Sequence, residues 1–238
     1  MAIRRYLAMT GAEFRSCESF PEKPAWMACH FSPYSTGLSN LPTDLPPGSL
    51  LILNDRIPIH GHDPERITEQ LATVVARFSC DGVLLDLQRT TDDGYLPLTQ
   101  FLSTALPCPV VLPASCAEGG KTPVFLGPVP HHTSVAEYLA PWSGREIWLD
   151  AALDASVLRI SDAGYRREPV HDPIPGSPCH REEKLHCHYR IDLSENSADF
   201  LLWRTAEDLD SLLAEAEALG VCSAVSLYQE LYAKTAPG

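Results

Sequence analysis

The chain has 238 residues, 45% of them hydrophobic, which is long enough for one sizeable core. Its formal net charge of −13, without any basic stripe, argues against a non-specific nucleic-acid-binding protein, because phosphate contacts need clustered lysine and arginine. We expect a soluble, cytoplasmic protein that does not enter a membrane. No run approaches the roughly 18 apolar residues of a membrane span, and no apolar stretch of signal-peptide length follows residues 1–10.

A strand–helix–strand unit is the clearest structural signal in the first half of the chain. The pattern predicts strands at 25–30 and 50–54 and then a helix after Asp63, which suits the N-cap, with Pro64 at the first helical position. One face of this helix carries apolar residues at helical spacing: Ile67, Leu71, Val74, Val75 and Phe78. A buried strand at 83–87 follows, so the two strands that flank the helix should be parallel.

The middle of the chain has a less regular pattern. Further predicted elements are helices at 96–106 and 134–139 and strands at 110–112 and 124–126. Residues 146–204 predict strands joined by short turns, which indicates an antiparallel excursion from a parallel sheet. Within it, the proline-rich and charged residues 166–184 predict an exposed loop.

The last part of the chain returns to α/β character. Thr205 suits an N-cap, with Asp208 three residues later, and Gly220 suits the stop before a strand at 221–227. The number of strands and helices favours an α/β fold, an irregular or incomplete (β/α) TIM-like barrel with the antiparallel excursion near the C-terminal third. We expect a single domain over 1–238; an open, doubly wound sheet is the alternative.

The run Asp81-Gly82-Val83-Leu84-Leu85-Asp86-Leu87-Gln88 holds the strongest functional signal. The chemistry of parallel α/β proteins lies at the carboxyl ends of their strands, which makes Asp86, Gln88 and Arg89 candidate site residues. The amide of Gln88 can hydrogen-bond but cannot donate a proton to a leaving group. Arg89 either binds an anionic group or pairs with Asp92 or Asp93.

This run resembles the strand signature D-G-x-D-x-D-x-E of the family 18 glycoside hydrolases, the chitinase-like barrels. Asp81, Gly82 and Asp86 match the signature, while Leu84 and Gln88 depart from it. The resemblance implies that Asp86 orients the N-acetyl group of a sugar, which serves as the nucleophile in that family. It also implies that Gln88 occupies the place of the general acid without its proton.

The other predicted site residues follow neighbouring strands. Asn54, Asp55, Arg56 and His60 should rim the same mouth as Asp86, and Tyr228 should join them from the last strand. We predict catalytic positions at Asp86, Gln88 and Glu230 and substrate-binding positions at Asn54, Asp81, Arg89 and Tyr228. The predicted function is binding of a sugar, a glycan fragment or a related small molecule, with weak or lost hydrolysis. Glu230 is the first candidate for a proton donor if turnover survives.

Two other functions stay open at this point. The pair His60-Gly61-His62 would suit a metal-dependent hydrolase of the amidohydrolase type, although its distance from strand 50–54 favours a simple turn. Alternatively, the chain is a non-catalytic scaffold. His186 and His188 flank Cys187, and we expect the thiol to point inward and the imidazoles outward. We predict no bound metal and no cofactor.

Overall fold

The computed structural model describes residues 2–20, 22–59, 61–89, 95–117, 121–162, 164–170 and 179–232. The chain folds into two compact units. The barrel unit comprises Ala2–Leu126, Gly144–Asp150 and Val221–Gly238, and the antiparallel unit comprises Gly127–Ser143 and Ala151–Gly220. The prediction of a single domain stays a prediction.

Strands and helices alternate in the barrel unit, and strands dominate the antiparallel unit. The strands of the described residues are, in chain order, β1 (Arg4–Met9), β2 (Lys23–Phe31), β3 (Leu38–Ser39), β4 (Leu50–Asn54), β5 (Gly82–Asp86), β6 (Val110–Pro113), β7 (Val124–Leu126), β8 (Ile147–Asp150), β9 (Ala155–Ser161), β10 (Gly164–Pro169), β11 (His180–Glu182), β12 (Cys187–Leu193), β13 (Ser197–Trp203) and β14 (Val221–Leu227). The helices are α1 (Gly11–Ser16), α2 (Pro64–Phe78), α3 (Tyr95–Ala105), α4 (Val135–Leu139), α5 (Ala206–Ala218) and α6 (Tyr228–Leu231). None of these helices is long and apolar enough to cross a membrane.

Eight parallel strands close into a ring in the barrel unit. Their order around the ring is β1, β14, β8, β7, β6, β5, β4 and β2, and β1 pairs with β2 to complete it. The short β3 adds to the outside of β2 in the antiparallel sense. The predicted TIM-like barrel is therefore confirmed, with all carboxyl strand ends on one side.

The strand–helix–strand unit matches its prediction closely. Asp63 caps α2 by accepting from the backbone N–H of Glu65, and Pro64 is the first helical residue. The buried face of the helix consists of four of the five predicted apolar residues, Ile67, Leu71, Val74 and Val75. Strands β4 and β5 pair in parallel, with Asn54 opposite Asp86 at their carboxyl ends.

The inside of the barrel is filled by side chains from most of its strands. Trp148 from β8 stacks on Tyr6 from β1, with ring centroids 5.3 Å apart. Both side chains are at most 1% exposed. The interior cluster is Tyr6, Ala8, Ala25, Leu50, Ile52, Leu84, Val111, Trp148 and Val225. Strand β1 had no counterpart among the predicted elements, although it supplies the central aromatic residue.

The antiparallel excursion starts later than predicted. Residues 147–150 form a parallel strand between β7 and β14, so they belong to the barrel. The antiparallel sheet has the order β10, β9, β13, β12 and β11, around Ala155, Leu201 and Trp203. The prediction of a loop over 166–184 was wrong where β10 and β11 form, because backbone pairing with β9 and β12 outweighs their polar sequence.

The histidine-rich segment is also organised by pairing. Cys187 is 1% exposed, as its predicted inward orientation requires. The histidines beside it do not point outward as predicted, because each contacts a carboxylate of α5. His186 Nε2 lies 2.7 Å from Glu215 Oε2, and His188 Nδ1 lies 2.7 Å from Asp208 Oδ2. These imidazoles therefore hold α5 against the sheet.

Candidate functional site

The two ends of β5 have different surroundings. At the amino end, the Asp81 carboxylate accepts hydrogen bonds from the Tyr6 hydroxyl at 2.7 Å and from Lys23 Nζ at 2.5 Å. A Cβ atom on Gly82 would lie 2.8 Å from the backbone oxygen of Pro109, which immediately precedes the neighbouring strand β6. Asp81 and Gly82 therefore serve the packing of the barrel, at the end opposite to Asp86.

The carboxyl end of β5 opens into a cleft. Its volume is about 480 Å³, within the roughly 300–1,000 Å³ typical of small-ligand pockets. Four of the seven predicted site residues lie here, and Asp81, Tyr228 and Glu230 do not. The cleft is lined by Thr10, Met27, Ala28, His30, Asn40, Ile52, Asn54, Asp55, Arg56, Asp86, Gln88 and Arg89.

Asp86 is the half-buried carboxyl group of this cleft. Burial raises its pKa above the ordinary aspartate value. A hydrogen bond from the Gln88 side chain acts in the opposite direction, and the nearby charge of Asp55 raises the pKa further. The carboxylate and the amide thus interact, and both line the cleft.

Asp55 anchors the loop that carries Gln88 and Arg89. It is only 4% exposed, and its Oδ2 atom accepts hydrogen bonds from the backbone N–H groups of Gln88 at 2.9 Å and Arg89 at 2.6 Å. The sequence predicted Asp55 at the rim but gave it no role. The structure shows that this carboxylate positions two of the predicted site residues.

Asn54 lies in the cleft, but its side-chain amide forms hydrogen bonds with backbone groups. The pairing of β2 with β4 shifts register between Trp26 and Cys29, and Asn54 Nδ2 donates to the carbonyl of Met27 in this interval at 2.8 Å. Asn54 Oδ1 accepts from the N–H of Arg56 at 3.1 Å. The side chain therefore supports the shape of the cleft.

His30 and Asn40 are cleft residues that the sequence did not suggest. Asn40 Nδ2 lies 3.1 Å from His30 Nε2, and His30 Nδ1 lies 2.7 Å from the carbonyl of Phe31. Since the amide nitrogen can only donate, Nε2 is the acceptor and Nδ1 carries the proton. His30 ends a predicted strand, so the strand-end rule could have found it; Asn40 has no such signal.

Tyr228 and Glu230 lie in α6, directly after the last barrel strand. Tyr228 stacks on Tyr232, with ring centroids 5.6 Å apart. Neither Tyr228 nor Glu230 belongs to the lining of the cleft. Their predicted roles have no geometric support at this mouth and stay predictions.

The H-x-H pair falls partly outside the described residues, which omit His60, Asp92 and Asp93. His62 Nε2 lies 3.1 Å from the carbonyl of Ser32, and its ring packs on Phe31 at 5.1 Å. In the part of the chain that the structure describes, no three His, Cys, Asp or Glu side chains converge as metal ligands do.

The sequence matches no family model and no curated protein. Solved structures do match. The C-terminal domain of a putative chitinase from Desulfitobacterium hafniense is 10% identical, with a TM-score of 0.59 over 99% of this chain and 96% of that one. A mutant chitinase of family 18 from Cycas revoluta, in complex with (GlcNAc)4, is 9% identical, with a TM-score of 0.57 over 94% of each chain.

The fold is that of the chitinase-like barrels. A third neighbour, the chitinase-like agglutinin from Robinia pseudoacacia, is 10% identical, with a TM-score of 0.58 over 93% of each chain. At such identities the likeness establishes the fold alone, so no site residue is transferred from these proteins. The roles in the cleft have to be argued from its own geometry.

Proposed function

We propose that this chitinase-like barrel binds an N-acetylated sugar in the cleft at the carboxyl end of β5, with weak or lost hydrolysis. The observation that carries the proposal is that the Asp86 carboxylate and the Gln88 amide line that cleft together. A carboxylate and a primary amide side by side offer acceptors and donors that match the acetamido and hydroxyl groups of an amino sugar. The position of the cleft agrees with the general placement of sites in such barrels.

The chemistry of the pair explains why hydrolysis should be weak. Cleavage of a glycosidic bond needs a proton for the departing oxygen. Gln88 has no proton of suitable acidity, and the Asp55 carboxylate is occupied by two backbone N–H groups. The ligand-facing role that remains for Asp86 is to orient a bound acetamido group. An agglutinin and chitinases among the structural neighbours support a sugar ligand with or without turnover.

Binding is tested by calorimetric titration with oligomers of N-acetylglucosamine. Asp86→Asn should weaken binding about tenfold or more, because one charge-assisted hydrogen bond is lost. The matched control is Asp81→Asn, the same substitution at the other end of β5. It should lower stability and leave the affinity of the folded protein unchanged. Absence of binding by the wild-type protein would refute the proposal.

The missing proton donor is tested by Gln88→Glu. This variant should gain measurable release of a fluorescent leaving group from a chitobiose derivative, whereas the wild-type protein should release little. The double variant Gln88→Glu/Asp86→Asn should lose that gain, because the acetamido group is no longer oriented. If the single variant binds the sugar but stays inactive, the cleft lacks more than the proton donor.

A further inference from the structure

Two arginine side chains in the cleft have no partner among the described residues. Arg56 follows β4 and Arg89 follows β5, and both line the cleft and are exposed. Within the described ranges, neither guanidinium forms an ion pair or a hydrogen bond. Other arginines do: Arg159 pairs with Asp199, Arg181 with Asp208 and Arg204 with Asp154.

Arg15 and Arg77 likewise form no ion pair or hydrogen bond within the described ranges, but they lie outside the cleft, whereas Arg56 and Arg89 both line it. Guanidinium groups bind carboxylates through two parallel hydrogen bonds, and they keep their charge at every physiological pH. Two of them beside a sugar-sized cleft indicate a ligand that brings its own negative charge.

The backbone at both arginines is held by one buried group. Asp55 immediately precedes Arg56, and its carboxylate accepts the N–H of Arg89, 34 residues along the chain. The start points of the two side chains are therefore fixed relative to each other and to Asp86. A fixed arrangement lowers the ordering cost of binding, which is what a ligand site requires.

We propose that the ligand is an amino sugar that carries a carboxylate as well as an N-acetyl group. The acetamido group lies against Asp86 and Gln88, and the carboxylate lies between Arg56 and Arg89. This assignment rests on the proposed function of the same cleft. Asp55 does not compete with such a ligand for the two guanidinium groups, since its carboxylate is buried and accepts backbone N–H groups.

The test compares one sugar with and without its charge. Calorimetry is run with the disaccharide of N-acetylglucosamine and N-acetylmuramic acid, with its methyl ester, and with chitobiose. The free acid should bind about tenfold tighter than the ester, and 500 mM NaCl should weaken only the acid. A disaccharide of glucuronic acid and N-acetylglucosamine then shows whether the carboxylate must lie on the amino sugar itself.

Three variants assign the preference to the arginines. Arg56→Ala and Arg89→Ala should each reduce the acid-to-ester ratio about tenfold, and Arg77→Ala, the same charge change on α2 outside the cleft, should leave it unchanged. Equal binding of acid, ester and chitobiose overturns this inference and leaves the proposed function standing. A preference that survives in both cleft variants overturns the assignment to the arginines. If none of the sugars binds, the proposed function fails and the inference falls with it.

Discussion

The barrel cleft and the antiparallel unit each hold a group of charged side chains, and the two groups differ in how they are paired. In the antiparallel unit, Arg204 is 5% exposed and donates to Asp154 at 2.9 Å. His131 is 1% exposed and lies between this carboxylate, at 3.4 Å, and Arg167 Nη2, at 3.3 Å. In this group, the guanidinium groups of Arg204 and Arg167 both lie beside the Asp154 carboxylate.

The cleft shows the reverse arrangement. Among the described residues, its buried carboxylate, Asp55, accepts two backbone N–H groups, and the two arginines that line it have no partner. We call Arg204, Asp154, Arg167 and His131 the closed set, because these groups interact with one another and stabilise the fold without a ligand. We call Arg56 and Arg89 the open set, because they would form their ion pairs with a bound ligand. The comparison therefore separates structural ion pairs from groups that are available for binding.

The largest expected effect breaks the closed set. Asp154→Ala leaves Arg204 buried without its counter-charge, and loss of one partner of a buried pair costs about 3–5 kcal/mol. The free energy of unfolding in urea should fall by this amount. Asp199→Ala, which removes the partner of the more exposed Arg159, is the control and should cost much less. Equal losses for both variants would mean that burial does not distinguish these pairs.

The second effect tests the packed end of β5. Gly82→Ala places a methyl group 2.8 Å from the Pro109 oxygen, which cannot move without shifting β6. We expect destabilisation near the upper end of the roughly 1–3 kcal/mol seen for overpacked cores. Gly127→Ala is the control, because its added Cβ would meet only the Tyr138 hydroxyl, at 3.9 Å. Thermal unfolding of the two variants measures the difference.

The sequence predicted those parts of the fold whose signals are local. A cap, a proline and one apolar face specify α2, and the strands beside it follow from short apolar runs. Strand β1 lacked such a signal, because a short segment that begins with two arginines becomes a strand only through pairing with β2 and β14. Closure of the barrel is a contact between distant parts of the chain, which periodicity does not report.

The residues of the candidate site also fall into those that have a local sequence signal and those that do not. Asp86, Gln88 and Arg89 were found from the rule that chemistry follows strand ends, which needs one strand only. Asp81 matched the same motif, but it lies at the opposite end of β5, where packing explains it. Asn40 enters the cleft from a separate connection, and no pattern within its own segment indicates this.

The third effect is a pH dependence of stability that arises from His131 in the closed set. Burial, with the charges of Arg204 and Arg167, lowers the pKa of His131 to about 4, although Asp154 acts in the opposite direction. The unfolded chain, with an ordinary pKa near 6.5, then binds a proton that the folded chain does not. Stability should fall by about 2 kcal/mol between pH 7 and pH 5. Urea unfolding of His131→Gln should show a shallower dependence; an unchanged slope would assign the effect to other groups.

The fourth effect loosens the anchor of the cleft. Asp55→Asn replaces a charged acceptor of two backbone N–H groups by a neutral one, at a cost of about 1 kcal/mol. It also removes a charge that raises the pKa of Asp86, so that pKa should fall. Titration of the Asp86 carboxyl carbon by NMR in wild type and variant measures the change. A pKa that does not move would show that the charge of Asp55 has no effect on Asp86.

The smallest expected effect on stability belongs to the open set. Arg56→Ala and Arg89→Ala remove exposed side chains without a described partner, so each should change the free energy of unfolding by no more than about 0.5 kcal/mol. The same protein samples should show weakened binding of the carboxylated sugar. A loss of stability comparable to that of Asp154→Ala would mean that the two arginines form stabilising contacts within the protein. If Arg56 and Arg89 form ion pairs only with a ligand, the two substitutions should weaken binding and leave the stability of the free protein unchanged.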